Sequence, residues 1–238
     1  MTSRMKTSGG SDRAKRRAGE SAAEAVHDGD VVGLGTGSTA AHAIRAIGRQ
    51  VDAGLDVRGV PTSFASRALA REREIPLVDL ETVGGVVGID VAIDGADQVA
   101  GDDLIKGGGA AHAREKVVDA AADRFLVVAD PSKESDVLDR SVPVEVLPDA
   151  HAVVAERIEA DLDGAAELRR AERKDGPVIT DNGNLVLDCD LGAIPDPESA
   201  ATTLARTPGV VEHGLFVGLA DEIHVGTEDG VRVIGTDD

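Results

Sequence analysis

Short apolar runs alternate with helix-length stretches of mixed polarity through the first half of the chain. Val31–Leu34 is apolar throughout and ends in Gly35-Thr36-Gly37-Ser38. Ser38 stands where it could N-cap the alanine-rich stretch that follows, which reads as a helix to Val51. Asp56–Val60 reads as a second strand, Ser63–Glu74 as a second helix and Leu77–Leu80 as a third strand. Val86–Ile93 is a longer apolar run, Ala110–Ala122 a helix, and Phe125–Ala129 a strand stopped by Asp130-Pro131. Strands without polar alternation, separated by helices, predict a doubly wound, mostly parallel Rossmann-like α/β sheet buried on both faces.

The pattern changes near Arg140. Val142–Val146 reads as a strand, Asp149–Leu162 as a helix, and Ala166–Arg170 and Val178–Thr180 as strands. Asp181-Asn182-Gly183-Asn184 is a hairpin signal, because Asn-Gly tolerates positive φ at both turn positions, and Leu185–Leu191 is the partner strand. Pro197–Arg206 is a helix and Val210–His213 a strand. The order β-α-β-β-α-β predicts a small ferredoxin-like α+β domain, a split βαβ, inserted into the first. Glu222–Val225 and Val231–Ile234 form a hairpin expected to rejoin the first sheet. The expected domains are therefore 12–139 plus 216–238, with 140–215 inserted and residues 1–11 a disordered leader.

The chain has 238 residues and a formal net charge of -19, with only three aromatic residues, Phe64, Phe125 and Phe216. The core must be built from Val, Ala, Leu and Ile, and stacking platforms for single-stranded nucleic acid are absent. A field of that sign repels nucleic acid and anionic membranes, so neither is an expected partner, and a phosphorylated ligand would need local cations. Of the 25 basic residues only six are lysine, at 15, 106, 116, 133, 174 and 6. An acidic, lysine-poor surface suits a high-salt cytoplasm, where screening removes self-repulsion. Cys189 is the only cysteine, so no intrachain disulfide forms, which fits a reducing, cytoplasmic setting. It lies in an apolar run and reads as a buried small hydrophobe. No apolar run is long enough to span a bilayer, and Met1–Arg17 lacks the apolar region of a secretory signal.

In open parallel sheets ligands bind beyond the carboxyl ends of the strands, and four polar clusters fall there. Gly33-Leu34-Gly35-Thr36-Gly37-Ser38-Thr39 combines glycines, which let backbone approach an anion, with a helix N-terminus and three hydroxyls. Ser38 takes the place of the third glycine of a dinucleotide fingerprint, and no acidic residue ends the second strand, so nicotinamide binding is disfavoured. A plain strand-to-helix turn would also use these glycines. Asp94-Gly95-Ala96-Asp97 puts two carboxylates on one turn, which suits acid–base work as well as a solvated loop. Lys106-Gly107-Gly108-Gly109 opens a helix; three glycines suit a nest for an oxyanion with Lys106 adding charge at its rim, while a flexible linker would use the glycines but not the lysine. Glu115 shares a helix face with Ala111 and Val118, where partial desolvation would favour a base, although an Arg-Glu-Lys run is commonly just surface. Asp130-Pro131-Ser132-Lys133 offers a second lysine for a phosphate or hydroxyl, or simply a solvated one. The six histidines show no HxH or HxxxH spacing; His112 and Glu115 are an i, i+3 pair without a second copy, so no metal is expected.

These blocks, taken in order, resemble type A ribose-5-phosphate isomerases. The resemblance rests on Gly-Thr-Gly-Ser-Thr-Ala (35–40), Asp-Gly-Ala-Asp (94–97) and Lys-Gly-Gly-Gly-Ala-Ala with Arg-Glu-Lys (106–111, 114–116). It continues through Ala-Asp-Pro-Ser-Lys (129–133), Val-Pro-Val-Glu-Val (142–146), Thr-Asp-Asn-Gly-Asn (180–184) and Pro-Gly-Val-Val-Glu-His-Gly-Leu-Phe (208–216), covering the chain from about residue 13. It implies an aldose–ketose isomerase interconverting ribose 5-phosphate and ribulose 5-phosphate through an enediolate, with neither metal nor cofactor. Glu115 would be the base moving the proton between C2 and C1. Asp94, Asp97 and Lys106 would serve the reacting oxygens. Thr36, Gly37, Ser38, Thr39, Gly95, Ala96, Gly107, Gly108, Gly109 and Lys133 would bind substrate. Lys15 aligns with a basic position near the phosphate, although Arg16 and Arg17 adjoin it. A homodimer or homotetramer is implied, joined through the small domain. The rival is a non-catalytic sugar-phosphate-binding sensor of the same fold, which would need neither Lys106 nor Glu115 and would usually add a basic DNA-binding domain. An amino-sugar-phosphate deaminase or a coenzyme A transferase does not account for Lys-Gly-Gly-Gly with a downstream Glu.

Overall fold

A computed structural model describes residues 10–83 and 88–235. Along the chain the elements are α1 (Asp12–Ala23), β1 (Val31–Leu34), α2 (Ala40–Asp52), β2 (Arg58–Pro61), α3 (Phe64–Glu72) and the short α4 (Leu80–Val83). Next come β3 (Val91–Gly95), β4 (Gln98–Ala100), β5 (Asp103–Ile105), α5 (His112–Ala120) and β6 (Phe125–Ala129). The remainder is β7 (Val142–Val146), α6 (His151–Leu162), β8 (Ala165–Leu168), β9 (Leu185–Asp190), α7 (Pro197–Arg206), β10 (Val210–His213), β11 (Leu215–Phe216), β12 (Glu222–Gly226) and β13 (Val231–Gly235). The chain divides into two units. The larger runs to Ala96, resumes over Arg114–Glu134 and returns from Leu219; the smaller is Asp97–Ala113 plus Ser135–Gly218.

The larger unit holds a six-stranded sheet in the order β2-β1-β3-β6-β12-β13. All neighbours are parallel except the β12–β13 hairpin. Its parallel part is the doubly wound order in which the chain reverses direction between β1 and β3. β1, β3 and β6 carry apolar side chains at nearly every position because helices cover both faces. The core here is Ala, Val, Ile and Leu, among them Ala18, Ala22, Ala43, Ile44, Ile47, Val32 and Ile93. α1 presses against α2 so closely that a Cβ on Gly19 would lie 2.6 Å from the Ala43 nitrogen. Small residues replace aromatic bulk by letting backbones approach.

The smaller unit contains a four-stranded antiparallel sheet, β10-β7-β9-β8, with α6 and α7 as its crossovers. This is the split βαβ arrangement, with its own core of Val142, Val144, Val146, Val154, Ile158, Leu187 and Leu204. A three-stranded sheet, β11-β5-β4, also belongs to it.

Several expectations are corrected. Helix α1 has no apolar stripe in the sequence: its buried positions are only Ala14, Ala18, Gly19, Ala22 and Ala23, too weakly apolar to mark one. Ser11 N-caps it by accepting the Ala14 N–H at 3.1 Å, so that end of the expected leader is structured, while residues 1–9 lie outside the described residues. Leu77–Leu80 is no strand. Leu77 makes one bridge to Gly59, and Asp79 turns the chain into α4. Of the run Val86–Ile93, residues 86 and 87 lie outside the described residues, and β3 begins at Val91. Val178–Thr180 is no strand: Ile179 makes an isolated bridge to Leu185, and the Val178 N–H donates to the Arg169 carbonyl at 2.9 Å, next to Pro177, which lacks an N–H. In the Asn182-Gly183 turn only Gly183 is left-handed. The boundaries expected at 140 and 216 also differ from the observed division: Leu215–Phe216 pairs antiparallel with Leu104–Ile105, drawing residues 97–113 into the smaller unit.

Candidate active site

In the larger unit the turn after β1 and the end of β3 meet where the sheet order reverses, the place where open parallel sheets bind ligands. Asp94, the fourth residue of β3, is fully buried. Its Oδ1 accepts the Thr36 N–H at 2.9 Å and the Gly95 N–H at 2.6 Å. Gly37 is left-handed, with φ +114°, which lets the turn reverse into α2. Thr36 donates its hydroxyl to Ser63 Oγ at 2.7 Å and lies 2.9 Å from Thr62 Oγ1. Ser63 is itself the N-cap of α3, accepting the Ser66 N–H. Thr62 and Ser63 thus join the hydroxyl cluster, although they carried no motif in the sequence. Ser38 does not cap α2; Thr39 occupies that position, without a side-chain bond, and is buried, while Ser38 is exposed.

Glu115 lies in the first turn of α5 and is only 4% exposed. Its place near a helix N-terminus, where N–H groups and the helix dipole favour negative charge, suits a carboxylate that must be ionised to act. Lys133 is half-buried at the end of the 3₁₀ turn Pro131–Lys133, which Asp130 caps by accepting the Ser132 N–H. Lys15 is half-buried inside α1. Of its basic neighbours, Arg16 is exposed, and Arg17 donates to the Thr227 and Glu228 carbonyls.

In the smaller unit the β4–β5 hairpin pairs Gln98 with Ile105, and Asp97 donates its N–H to the Ile105 carbonyl at 2.8 Å. That register puts Asp97 opposite Lys106 at the open end of the hairpin, joining two residues nine positions apart. Asp97 Oδ2 accepts the Gly108 N–H at 2.6 Å. Lys106 is 1% exposed, and its Nζ sits 5.2 Å from the centroid of the Phe216 ring. Gly107 is buried with φ +99°, Gly108 is half-buried and Gly109 exposed. Among the described residues no group of three or more His, Cys, Asp or Glu is arranged to hold a metal ion. None of the described helices is long and apolar enough to cross a membrane.

Residues 58–230 match the family described as ribose 5-phosphate isomerase A (phosphoriboisomerase A). A ribose-5-phosphate isomerase A of Halorubrum lacusprofundi is 72% identical over 238 residues, covering 96% of this chain and 99% of its own. The ribose 5-phosphate isomerase A structure from Methanocaldococcus jannaschii is 42% identical, with TM-score 0.88, covering 93% of this chain and 98% of that one. A D-ribose-5-phosphate isomerase solved in complex with phospho-erythronic acid is 40% identical, with TM-score 0.90, covering 95% and 100%.

Proposed function

We propose a residue-level mechanism for this chain, which belongs to the ribose 5-phosphate isomerase A family and is therefore an aldose–ketose isomerase acting on ribose 5-phosphate and ribulose 5-phosphate. Family membership favours catalysis over a sensor role, and the acidic, lysine-poor composition agrees with haloarchaeal relatives.

Isomerisation requires a proton to leave C2 of the open-chain aldose and return at C1. The C2–H electron pair becomes the C1=C2 bond of an enediolate, and the C1 carbonyl oxygen takes the negative charge. Glu115 removes the C2 proton as carboxylate and, now protonated, delivers it to C1. Asp94 and Asp97 assist ring opening and pass the hydroxyl proton from O2 to O1. Lys106 offsets the enediolate charge, so no step calls for a metal or cofactor. The Thr36–Thr39 turn, Gly95, Ala96 and the amides of Gly107, Gly108 and Gly109 bind the sugar phosphate, with Lys133 and Lys15 supplying positive charge for its phosphate. The chain acts in the cytoplasm as a homodimer or homotetramer.

The observation that carries this reading is the burial of Lys106. Taking an ammonium out of water costs several kcal/mol, and this chain, with a net charge of -19, has only six lysines to spend. A buried cation interacts far more strongly with a developing oxyanion than an exposed one does. The test is ketose formation from ribose 5-phosphate in molar potassium chloride, with and without a chelator, by the native chain and by Glu115→Gln. Chelator-resistant turnover is expected, with a loss of roughly 10³-fold or more for Glu115→Gln at unchanged affinity for a competitive inhibitor. Chelator inhibition would overturn the metal-free route. Substantial activity without the carboxylate would remove Glu115 as the base.

A further inference from the structure

Arg169 and Asp188 form an ion pair deep in the smaller unit, 4% and 9% exposed. Arg169 Nε donates to Asp188 Oδ2 at 2.9 Å, and Nη2 donates to Oδ1, the two-pronged geometry that fixes a guanidinium plane. The third nitrogen is not spent on the carboxylate. Arg169 Nη1 donates to the carbonyl of Gly107 at 3.0 Å and to that of Gly108 at 3.4 Å. The Gly107 carbonyl also accepts the Ala110 N–H at 2.9 Å.

The carbonyl of Gly107 and the N–H of Gly108 belong to one trans peptide, so they point in opposite directions. Arg169 holds the carbonyl end; Asp97 Oδ2 holds the N–H end at 2.6 Å. The space for that contact exists only because residue 108 has no side chain: a Cβ there would lie 2.7 Å from Asp97 Oδ1. The same turn keeps Ala110 left-handed, with φ +59°, a conformation that L-residues other than glycine avoid and that persists only where the surroundings impose it. A buried ion pair is by itself weak support for a stability role, because desolvation offsets much of its attraction.

We propose that Arg169 is a positioning residue for Asp97: the Asp188-braced guanidinium fixes the Gly107–Gly108 peptide, and that peptide aims the Asp97 carboxylate. The inference rests on the catalytic role assigned above to Asp97. Lysine cannot hold Asp188 and both carbonyls in one plane, so Arg169→Lys keeps the charge and loses the clamp.

The experiment is a double-mutant cycle on the full chain, with kcat and KM for ribose 5-phosphate measured for native, Arg169→Lys, Asp97→Asn and the double variant. Arg169→Lys is expected to lower kcat by roughly 10-fold or more, as misplacement of a reacting group does, with KM within about 3-fold of native. In the Asp97→Asn background the same change should cost less than about 2-fold, because residues acting through one another are not additive. An equal kcat loss in both backgrounds would overturn the proposal, as would native kcat in Arg169→Lys. Asp97→Asn with native kcat would instead remove the reading beneath it. Asp188→Asn, which keeps the arginine and removes its charged brace, should show the same non-additivity at smaller size and decides the matter if Arg169→Lys does not fold.

Discussion

Asp94 fastens the turn after β1 to the end of β3: its Oδ1 accepts the Thr36 N–H at 2.9 Å. Gly35, immediately before, passes so close that a Cβ would lie 2.3 Å from the Asp94 carboxyl carbon. That glycine is needed for contact rather than for an unusual φ. Gly35→Ala should therefore displace Asp94 and lower kcat/KM by roughly 10²-fold, with the secondary structure unchanged by circular dichroism. Native kinetics would mean that the Asp94–Thr36 contact does not set the site.

Lys106→Met keeps most of the buried volume but not the charge. It should lower kcat by roughly 10²-fold or more, the loss typical of one charge-stabilising group, without lowering thermal stability. Phe216→Leu, which removes the ring 5.2 Å from Nζ, should give a smaller loss in the same parameter. A Lys106→Met enzyme with native kcat would show that the enediolate charge is met elsewhere.

Cys189 is fully buried, and its thiol is pushed up to about 12, first by burial and then by the Asp188 charge, against the opposing pull of Arg169. Only a thiolate reacts readily with alkylating agents. Iodoacetamide at pH 8 should leave the folded chain unlabelled and label it once per chain after denaturation. Fast native labelling, followed by mass spectrometry, would contradict this burial.

Acid should weaken the larger unit at the β12 edge. His224 is pushed below its ordinary value of 6.5 by burial, with Arg124 in the same direction and Glu222 and Glu24 opposing. Glu222 is held below its ordinary 4.5, chiefly by the hydrogen bond from Arg124. In both cases the unfolded chain binds the proton at higher pH than the folded one. The stability tied to His224 is full above about pH 6.5 and falls below it; that tied to Glu222 follows below about 4.5. Between pH 7 and 5 the native Tm should drop, by roughly 2–4 °C for each kcal/mol lost in a chain of this size. His224→Gln should flatten that drop. Parallel Tm curves for the two proteins would refute the assignment.

The amino-acid sequence by itself determined the periodic parts. β6, β7, α7 and β10 occupy the residues read from it: Asp130 stops β6, Asp196 and Pro197 open α7, and Gly209 and Gly214 bracket β10, so local signals fix where these elements lie. It also marked the breaks at 35–39 and 106–109, where glycines end an apolar run, and the end of β3 at Asp94-Gly95. Tertiary structure alone decided the rest. Helix α1 gains its stability from alanines pressed on α2, a contact that hydropathy does not register. Residues 97–113 joined the smaller unit because β5 pairs with β11, more than a hundred positions away, and pairing between distant strands leaves no local signature. Burial of Lys106 and the hold of Arg169 on the Gly107 carbonyl arise from that same long-range closure. A side chain's type is local, but the water removed from around it, and the partner that replaces that water, depend on the whole fold.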